Sequence, residues 1–240
     1  MAEKLGLTVE YIYHSGFTVE TEKDFLVFDY YHGTINLPSE KNVKVFSSHA
    51  HPDHFNPQIF EWASRVPNLH FYLSSDIRNY SALPQSLNKI TFLDPYEEVA
   101  QDDLTIRTYG STDAGVSFLL ELNHHKQPKP IRVFHAGDLN WWHWWGEPPA
   151  DRQLAEQLFK AEMAKIKGEH IDLAFFPVDP RLEQYYGLGA EYFIQEIKPD
   201  ILIPMHFMDD YAVLQEFAQK MSSSSTKVLT IKHENERFEL

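Results

Sequence analysis

Ser48-His49-Ala50-His51-Pro52-Asp53-His54 is the stretch that decides how this chain is read. Three imidazoles and a carboxylate fall between positions 49 and 54, directly after a short β-like run, Val43-Lys44-Val45-Phe46. Alternate residues of an extended chain project to one side, so His49 and His51 can share a face. A turn at Pro52 then brings Asp53 and His54 round to the same spot. All four groups are ligand types for zinc, iron or manganese. A single histidine here would read as a polar loop opening a helix, with Asp53 or Asn56 as its cap. Three histidines and an aspartate at this spacing favour a metal-binding cluster.

The remaining composition narrows the classes. The 240 residues suffice for one sizeable core, and 43% hydrophobic with 14% aromatic content marks a folded chain. The net charge of −14 repels phosphate backbones and anionic membrane surfaces, so neither nucleic acid nor membrane is an expected partner. With no cysteine, thiolate ligands, disulfides and a cysteine nucleophile are all excluded. Any metal is held by nitrogen and oxygen. The N-terminal residues lack a signal-peptide apolar core, and no run approaches the ~18 apolar residues of a membrane span. The expected location is cytoplasmic and the expected partner a small-molecule substrate. Oligomeric state is not legible.

Strand signals fill the first part: 7–13, 17–20, 25–29, 43–46, 69–73, 89–93, 104–109, 116–122 and 131–134. Helices are expected at 57–63 and near 76–82. Clearer ones run over 151–167, with Leu154, Leu158, Phe159, Met163 and Ile166 as its apolar stripe, and over 209–221. Gly168 reads as a C-cap glycine and Glu156/Lys160 as an i,i+4 pair. Apolar strands at 171–176 and 201–204 follow the helical pattern. Ser222–Ser225 reads as a flexible turn before a last strand. No composition break divides the chain, so one domain over residues 1–240 is expected, with sheets in layers and helices outside.

Two further strand ends carry ligand types. His135-Ala136-Gly137-Asp138 follows the strand at 131–134, and Pro204-Met205-His206-Phe207 follows that at 201–203. At this point the chain resembles the metallo-β-lactamase fold hydrolases. His49-Ala50-His51-Pro52-Asp53-His54 matches their H-x-H-x-D-H motif, and the order of cluster, Gly-Asp and late histidine matches as well. Tyr13-His14-Ser15-Gly16-Phe17 with Phe28-Asp29 resembles the start of the subgroup that includes the ascorbate phosphate lactonases. The resemblance implies a four-layer αβ/βα sandwich of two packed mixed sheets. It implies one or two divalent ions, zinc first with manganese or iron as alternatives. His49 and His51 belong to a first metal and Asp53, His54 and His206 to a second, with Asp138 bridging.

One departure stands out. The family supplies a third first-metal histidine from a turn in which this chain has Gly110-Ser111-Thr112-Asp113. Three readings stay open: a weak or absent first metal, Asp113 as a carboxylate replacement, or a histidine from elsewhere, His14, His135 or His143. His124 and His125 read as an exposed hairpin turn. Asn140-Trp141-Trp142-His143-Trp144-Trp145 is equally a buried aromatic anchor or a substrate wall. Asp179 and Arg181 follow another strand end and are expected near the pocket, with a surface ion pair as the blander reading, preferred for Arg181.

The resemblance implies a hydrolase that uses a metal-bound hydroxide to cleave an ester, lactone, amide or phosphodiester bond. Asp53 is its candidate catalytic residue, orienting the hydroxide and shuttling a proton. The alternative is a degenerate metal- or ligand-binding protein of the same fold, motivated by Ser111. Di-iron oxidoreductase chemistry is weaker, because di-iron relatives carry a carboxylate where this chain has His51 and no flavin domain is appended. A nuclease is disfavoured by the acidic charge and by a length too short for the inserted domain of nuclease relatives.

Overall fold

Parallel pairing at the centre of two sheets puts the chemically interesting residues where they are. The computed structural model describes residues 4–80, 83, 89–123 and 129–240, so His124 and His125 lie outside the described residues. It divides into two compact units, Met1–Asp94 with Lys232–Leu240, and Pro95–Ile231.

The first unit is a seven-stranded mixed sheet. Its strands are β1 (Thr8–Tyr13), β2 (Gly16–Glu20), β3 (Asp24–Phe28), β4 (Asn42–Ser47), β5 (Leu69–Ser74), β6 (Ile90–Leu93) and the last strand of the chain, Arg237–Glu239. That last strand and β1 to β3 pair antiparallel; β3 to β6 pair parallel, with Phe28 opposite Phe46 and Phe46 opposite Tyr72. One face packs Val43, Val45, Phe71 and Leu73 beneath Ile59, Phe60 and Trp62. The other carries a row of fully buried rings, Phe28 stacked on Phe46 and Phe46 on Tyr72 at 5.0 and 5.1 Å. The segment Pro57–Ser64, expected to be a helix, is 3₁₀ rather than α. Ile59 and Trp62, three apart, eclipse on one face in a three-residue turn and both reach the core. Asn56 caps it, accepting from the Gln58 N–H. The expected helix near 76–82 is a 3₁₀ turn over Ser75–Asn79; residues 81 and 82 lie outside the described residues.

The second unit repeats the plan. In chain order it holds β7 (Glu98–Gln101), β8 (Leu104–Gly110), β9 (Val116–Leu122), β10 (Ile131–His135), α1 (Pro149–Ile166), β11 (Leu173–Pro177), α2 (Leu188–Ile197), β12 (Ile201–Met205), α3 (Tyr211–Lys220) and β13 (Lys227–Val228). The sheet runs β13-β12-β11-β10-β9-β8-β7, parallel from β13 to β10 and antiparallel beyond. Helices join the parallel strands because a parallel crossover needs a long connection. Phe134 and Phe176 of the sheet stack on Phe193 of α2, and Phe159 of α1 meets Phe176 edge-on.

The α1 stripe differs from expectation. Phe159, Met163 and Ile166 are buried, but Leu154 and Leu158 are 53% and 50% exposed. Each residue turns ~100° about the axis, so Leu158 lies off the line through 159, 163 and 166. Gly168, at φ 98°, closes the helix as its C-terminal glycine, and Glu156 and Lys160 pair as expected. The sequence reading missed α2 and β7, and the single last strand expected after Ser225 is two short ones, β13 and Arg237–Glu239. No helix among the described residues is long and apolar enough to cross a membrane.

Candidate metal centre

Parallel strands end together, so residues just past their C-terminal ends become neighbours, the usual place for chemistry in sheets of this type. In the first unit β3 ends at Asp29 and β4 leads into Ser48 and His49. Asp29 is fully buried and left-handed at φ 40°, and its two oxygens accept from the Ser48 N–H (2.7 Å), the Ser48 hydroxyl (2.7 Å) and His54 Nδ1 (2.7 Å). Ser48 Oγ in turn lies 3.0 Å from His49 Nδ1. After Pro52 the chain turns, the His54 and Phe55 N–H groups both returning to the His51 carbonyl. The turn gathers the rings: His49 lies 4.5 Å from His51 and 4.2 Å from His54 between centroids. His49 and His54 are buried, His51 is exposed, and Asp53 is 41% exposed.

His14 joins this cluster. It is buried, left-handed at φ 57°, and its Nε2 stands 3.5 Å from Asp53 Oδ2. His14, Asp53 and His54 each offer a ligand atom within 4.8 Å of the others. The hydrogen bond to His14 holds the Asp53 carboxyl well below the usual carboxylate range, and the charge field of His54 adds to this against the opposing effect of burial. Asp53 is therefore anionic throughout the neutral range.

In the second unit three parallel strand ends contribute. Gly137, at φ 52°, makes the turn after β10 that delivers Asp138, 5% exposed. Asp179 follows β11, and His206 follows β12 with φ 65°. His206 lies between the two carboxylates, Nε2 at 3.3 Å from Asp138 Oδ1 and Nδ1 at 3.0 Å from Asp179 Oδ2. The Asp179–Arg181 pair is present but is no surface pair, since Asp179 is fully buried and holds Arg181 through Nε and Nη2. Burial pushes the Asp179 carboxyl up, yet the His206 and Arg181 hydrogen bonds outweigh it and set it at about 2.

The segment at Ser111 is fixed to the Asp138 turn. Thr112 Oγ1 donates to the Asn140 carbonyl (2.6 Å) and accepts from the Asn140 N–H (2.9 Å). Asp113 and Asp138 thereby offer carboxylate oxygens within 4.8 Å of one another, while Ser111 Oγ accepts from the Asp113 N–H. The other candidates fall elsewhere. His135 is fully buried in β10, its Nδ1 accepting from the Gly137 N–H at 3.2 Å. His143 packs on Tyr185 at 4.2 Å between ring centroids.

Sequence reasoning placed Asp179 near the pocket without its bond to His206, and missed the roles of Asp29 and Thr112. Asp179 was open to detection as an acidic residue two positions past a strand, a signal like that at Asp138, whereas Asp29 takes its meaning from the parallel pairing that sets it beside Ser48.

These donors suit a divalent cation. Metal-bound histidines almost always give their second ring nitrogen to a carboxylate, hydroxyl or carbonyl. His54 on Asp29, His206 on Asp179 and His49 on Ser48 share that arrangement. Two ligands each ~2.0–2.1 Å from a tetrahedral zinc lie ~3.3 Å apart, which matches the His206–Asp138 separation.

No protein-family profile matches the sequence, and no curated relative matches it. Solved structures do match. Igni18, a metallo hydrolase from the archaeon Ignicoccus hospitalis, aligns with a TM-score of 0.67 at 20% identity over 98% of this chain and 99% of its own. The metallo-β-lactamase fold protein YhfI from Bacillus subtilis aligns at 0.63 and 14% identity, over 97% and 98%. CmlA, a diiron β-hydroxylase from Streptomyces venezuelae, aligns at 0.62 and 12% identity over all of this chain but 55% of CmlA. The chain has the metallo-β-lactamase fold, the αβ/βα sandwich expected from the His49–His54 motif.

Proposed function

We propose that this protein is a metal-dependent hydrolase of small-molecule esters, lactones, amides or phosphodiesters. The observation that carries the reading is the pairing of a buried ligand-type histidine with a buried carboxylate in each unit, His54 with Asp29 and His206 with Asp179. Buried carboxylates are costly to hold without a counter-charge. A cation beside them offsets that cost, and the histidines' outer bonds fix the tautomer that leaves Nε2 as a metal donor.

His49 and His51 would serve one ion, Asp53, His54 and His206 a second, and Asp138 both. Asp113 is the best-placed substitute for the missing histidine, since it offers an oxygen beside Asp138. An added carboxylate shifts the preference from zinc toward manganese or iron. His14 supports Asp53, keeping it ionised. A divalent ion so held would supply a nucleophile from water near neutral pH and polarise the substrate oxygen. Asp53 would accept a hydrogen bond from that water and orient it.

Purified protein should retain or take up a transition metal. It should hydrolyse generic esters, lactones or bis-p-nitrophenyl phosphate and lose that activity to a chelator. A protein that binds no transition metal would overturn the proposal. A second reading, metal binding without turnover, draws on Ser111. It predicts metal uptake with no chelator-sensitive hydrolysis of any of these substrates. The diiron neighbour gives a third, which an iron-free metal analysis would remove.

A further inference from the structure

Asn140–Trp145 forms neither helix nor strand, and four of its side chains divide into two sets. Trp141 and His143 go inward. Trp141 stacks on Phe159 of α1 at 6.0 Å and meets Tyr192 edge-on, and His143 rests on Tyr185. Trp142 and Trp144 form the other set. Their ring planes lie within 7° of parallel, with centroids 5.8 Å apart. The Trp142 indole N–H donates to the Asp138 carbonyl at 3.1 Å, and its ring stands edge-on to His206 at 5.6 Å. The Arg181 guanidinium sits 5.6 Å from the Trp144 centroid, anchored by Asp179, with its side chain 49% exposed. Trp142, Trp144 and Arg181 thus form a row beside the candidate ligand His206, with Arg181 Nη2 itself 3.4 Å from His206 Nδ1.

The geometry points to this row as the specificity platform of the hydrolase site, selecting substrates that join a flat apolar group to a carboxylate or phosphate. The inference rests on the function proposed above. Indole rings accept planar apolar groups with little loss of side-chain freedom, because Trp142 is pinned through its N–H and Trp144 is stacked on Trp142. Arg181 supplies the anion contact. A guanidinium reads carboxylate and phosphate through a planar fork, and stacking on Trp144 holds that plane before substrate arrives. On a chain of net charge −14, an anionic substrate requires such a local cation.

Intrinsic tryptophan fluorescence tests this without turnover. The metal-loaded protein is titrated with 2-naphthoate, with 2-naphthalenemethanol and with acetate. Naphthoate should bind about tenfold or more tightly than either of the others, a margin expected of one charge-assisted contact plus stacking. Arg181→Gln should bring naphthoate down to the level of the neutral arene. Trp144→Ala should weaken both arenes and leave acetate unchanged. Thermal unfolding accompanies each variant. Should either fail to fold, Arg181→Lys, which keeps charge but loses the fork, should give an intermediate preference, and Trp144→Phe should retain arene binding. Equal affinity for naphthoate and naphthalenemethanol in the wild type would overturn the inference, as would a preference that survives Arg181→Gln. Failure of the underlying reading looks different: arene preference with no metal uptake sinks the hydrolase and keeps the platform. Metal-dependent hydrolysis indifferent to aryl and anionic groups sinks the platform alone.

Discussion

The two clusters of ligand-type residues are built from the same parts and assembled in opposite ways. In the first unit, positions 49 to 54 supply four of them in one turn, and the buried carboxylate of Asp29 holds the buried Ser48 and His54. In the second, Asp113, Asp138, Asp179 and His206 arrive from separate connections, and Asp179 divides its oxygens between buried His206 and half-exposed Arg181. The first cluster is therefore a fixed frame. The second has one partner that reaches solvent, and that partner touches an aromatic row. A motif carried on one loop leaves little room for variation. A site gathered from four connections can keep its ligands and vary what surrounds them, which is where selectivity can change.

That contrast makes ranked predictions. Asp29→Ala should have the largest effect. It orphans the Ser48 N–H, the Ser48 hydroxyl and His54 Nδ1 in a dry interior, a loss of roughly 3–5 kcal/mol. For a chain of this size each kcal/mol moves Tm by about 2–4 °C, so a fall of about 10 °C is expected by calorimetry, together with loss of metal. Asp179→Ala should cost less, about 2–3 kcal/mol, because the released Arg181 can be solvated even though His206 loses its anchor. An equal fall for the two variants would break the proposed asymmetry. Thr112→Val comes next. It removes the two bonds that tie the Ser111 turn to Asn140, and about 1–2 kcal/mol should go with them.

The same asymmetry explains what could be read from sequence. The stretch from His49 to His54 was legible as a candidate cluster because its residues are contiguous and its turn is marked by Pro52. The strand ends at Asp138 and His206 were legible as isolated signals. Asp29 was visible only as part of the resemblance, because one aspartate after a strand says nothing until parallel pairing sets it beside Ser48. His14 carried no local pattern either, as its approach to Asp53 depends on where the β1–β2 turn falls. The Trp141–Trp145 segment was ambiguous between anchor and wall because its residues pack differently. The stretch shows four tryptophans but not that Trp141 stacks on Phe159 while Trp142 and Trp144 stack on each other. Among the elements, the long antiparallel and apolar strands came through, while α2 was lost. Its start, Leu188-Gly189-Ala190, lacks a side-chain cap, and Gly189 is a weak helix former. That glycine has a tertiary cause: a Cβ there would come within 2.0 Å of Asn140 Oδ1, so the helix can approach the Asp138 turn only without one.

The smallest effect on the fold should come from the residue that bears most on the first metal. Asp113 is exposed, and its backbone N–H bond to Ser111 is one that a side-chain change leaves in place. Asp113→Asn should therefore shift stability by no more than about 0.5 kcal/mol, within the range of ordinary surface substitutions. If its carboxylate replaces the absent histidine, the same change should lower the number of bound metal ions or weaken one of them about tenfold or more, as measured by metal analysis after dialysis against a graded chelator. Ser111→His in the Asp113→Asn background should then restore the loss, because it returns an imidazole to the position the resemblance assigns, and should favour zinc over manganese. Unchanged metal content in Asp113→Asn would remove the carboxylate replacement. It would leave the second cluster with Asp138 and His206 as its proposed donors, and the difference between the two clusters would then extend to the ligands themselves.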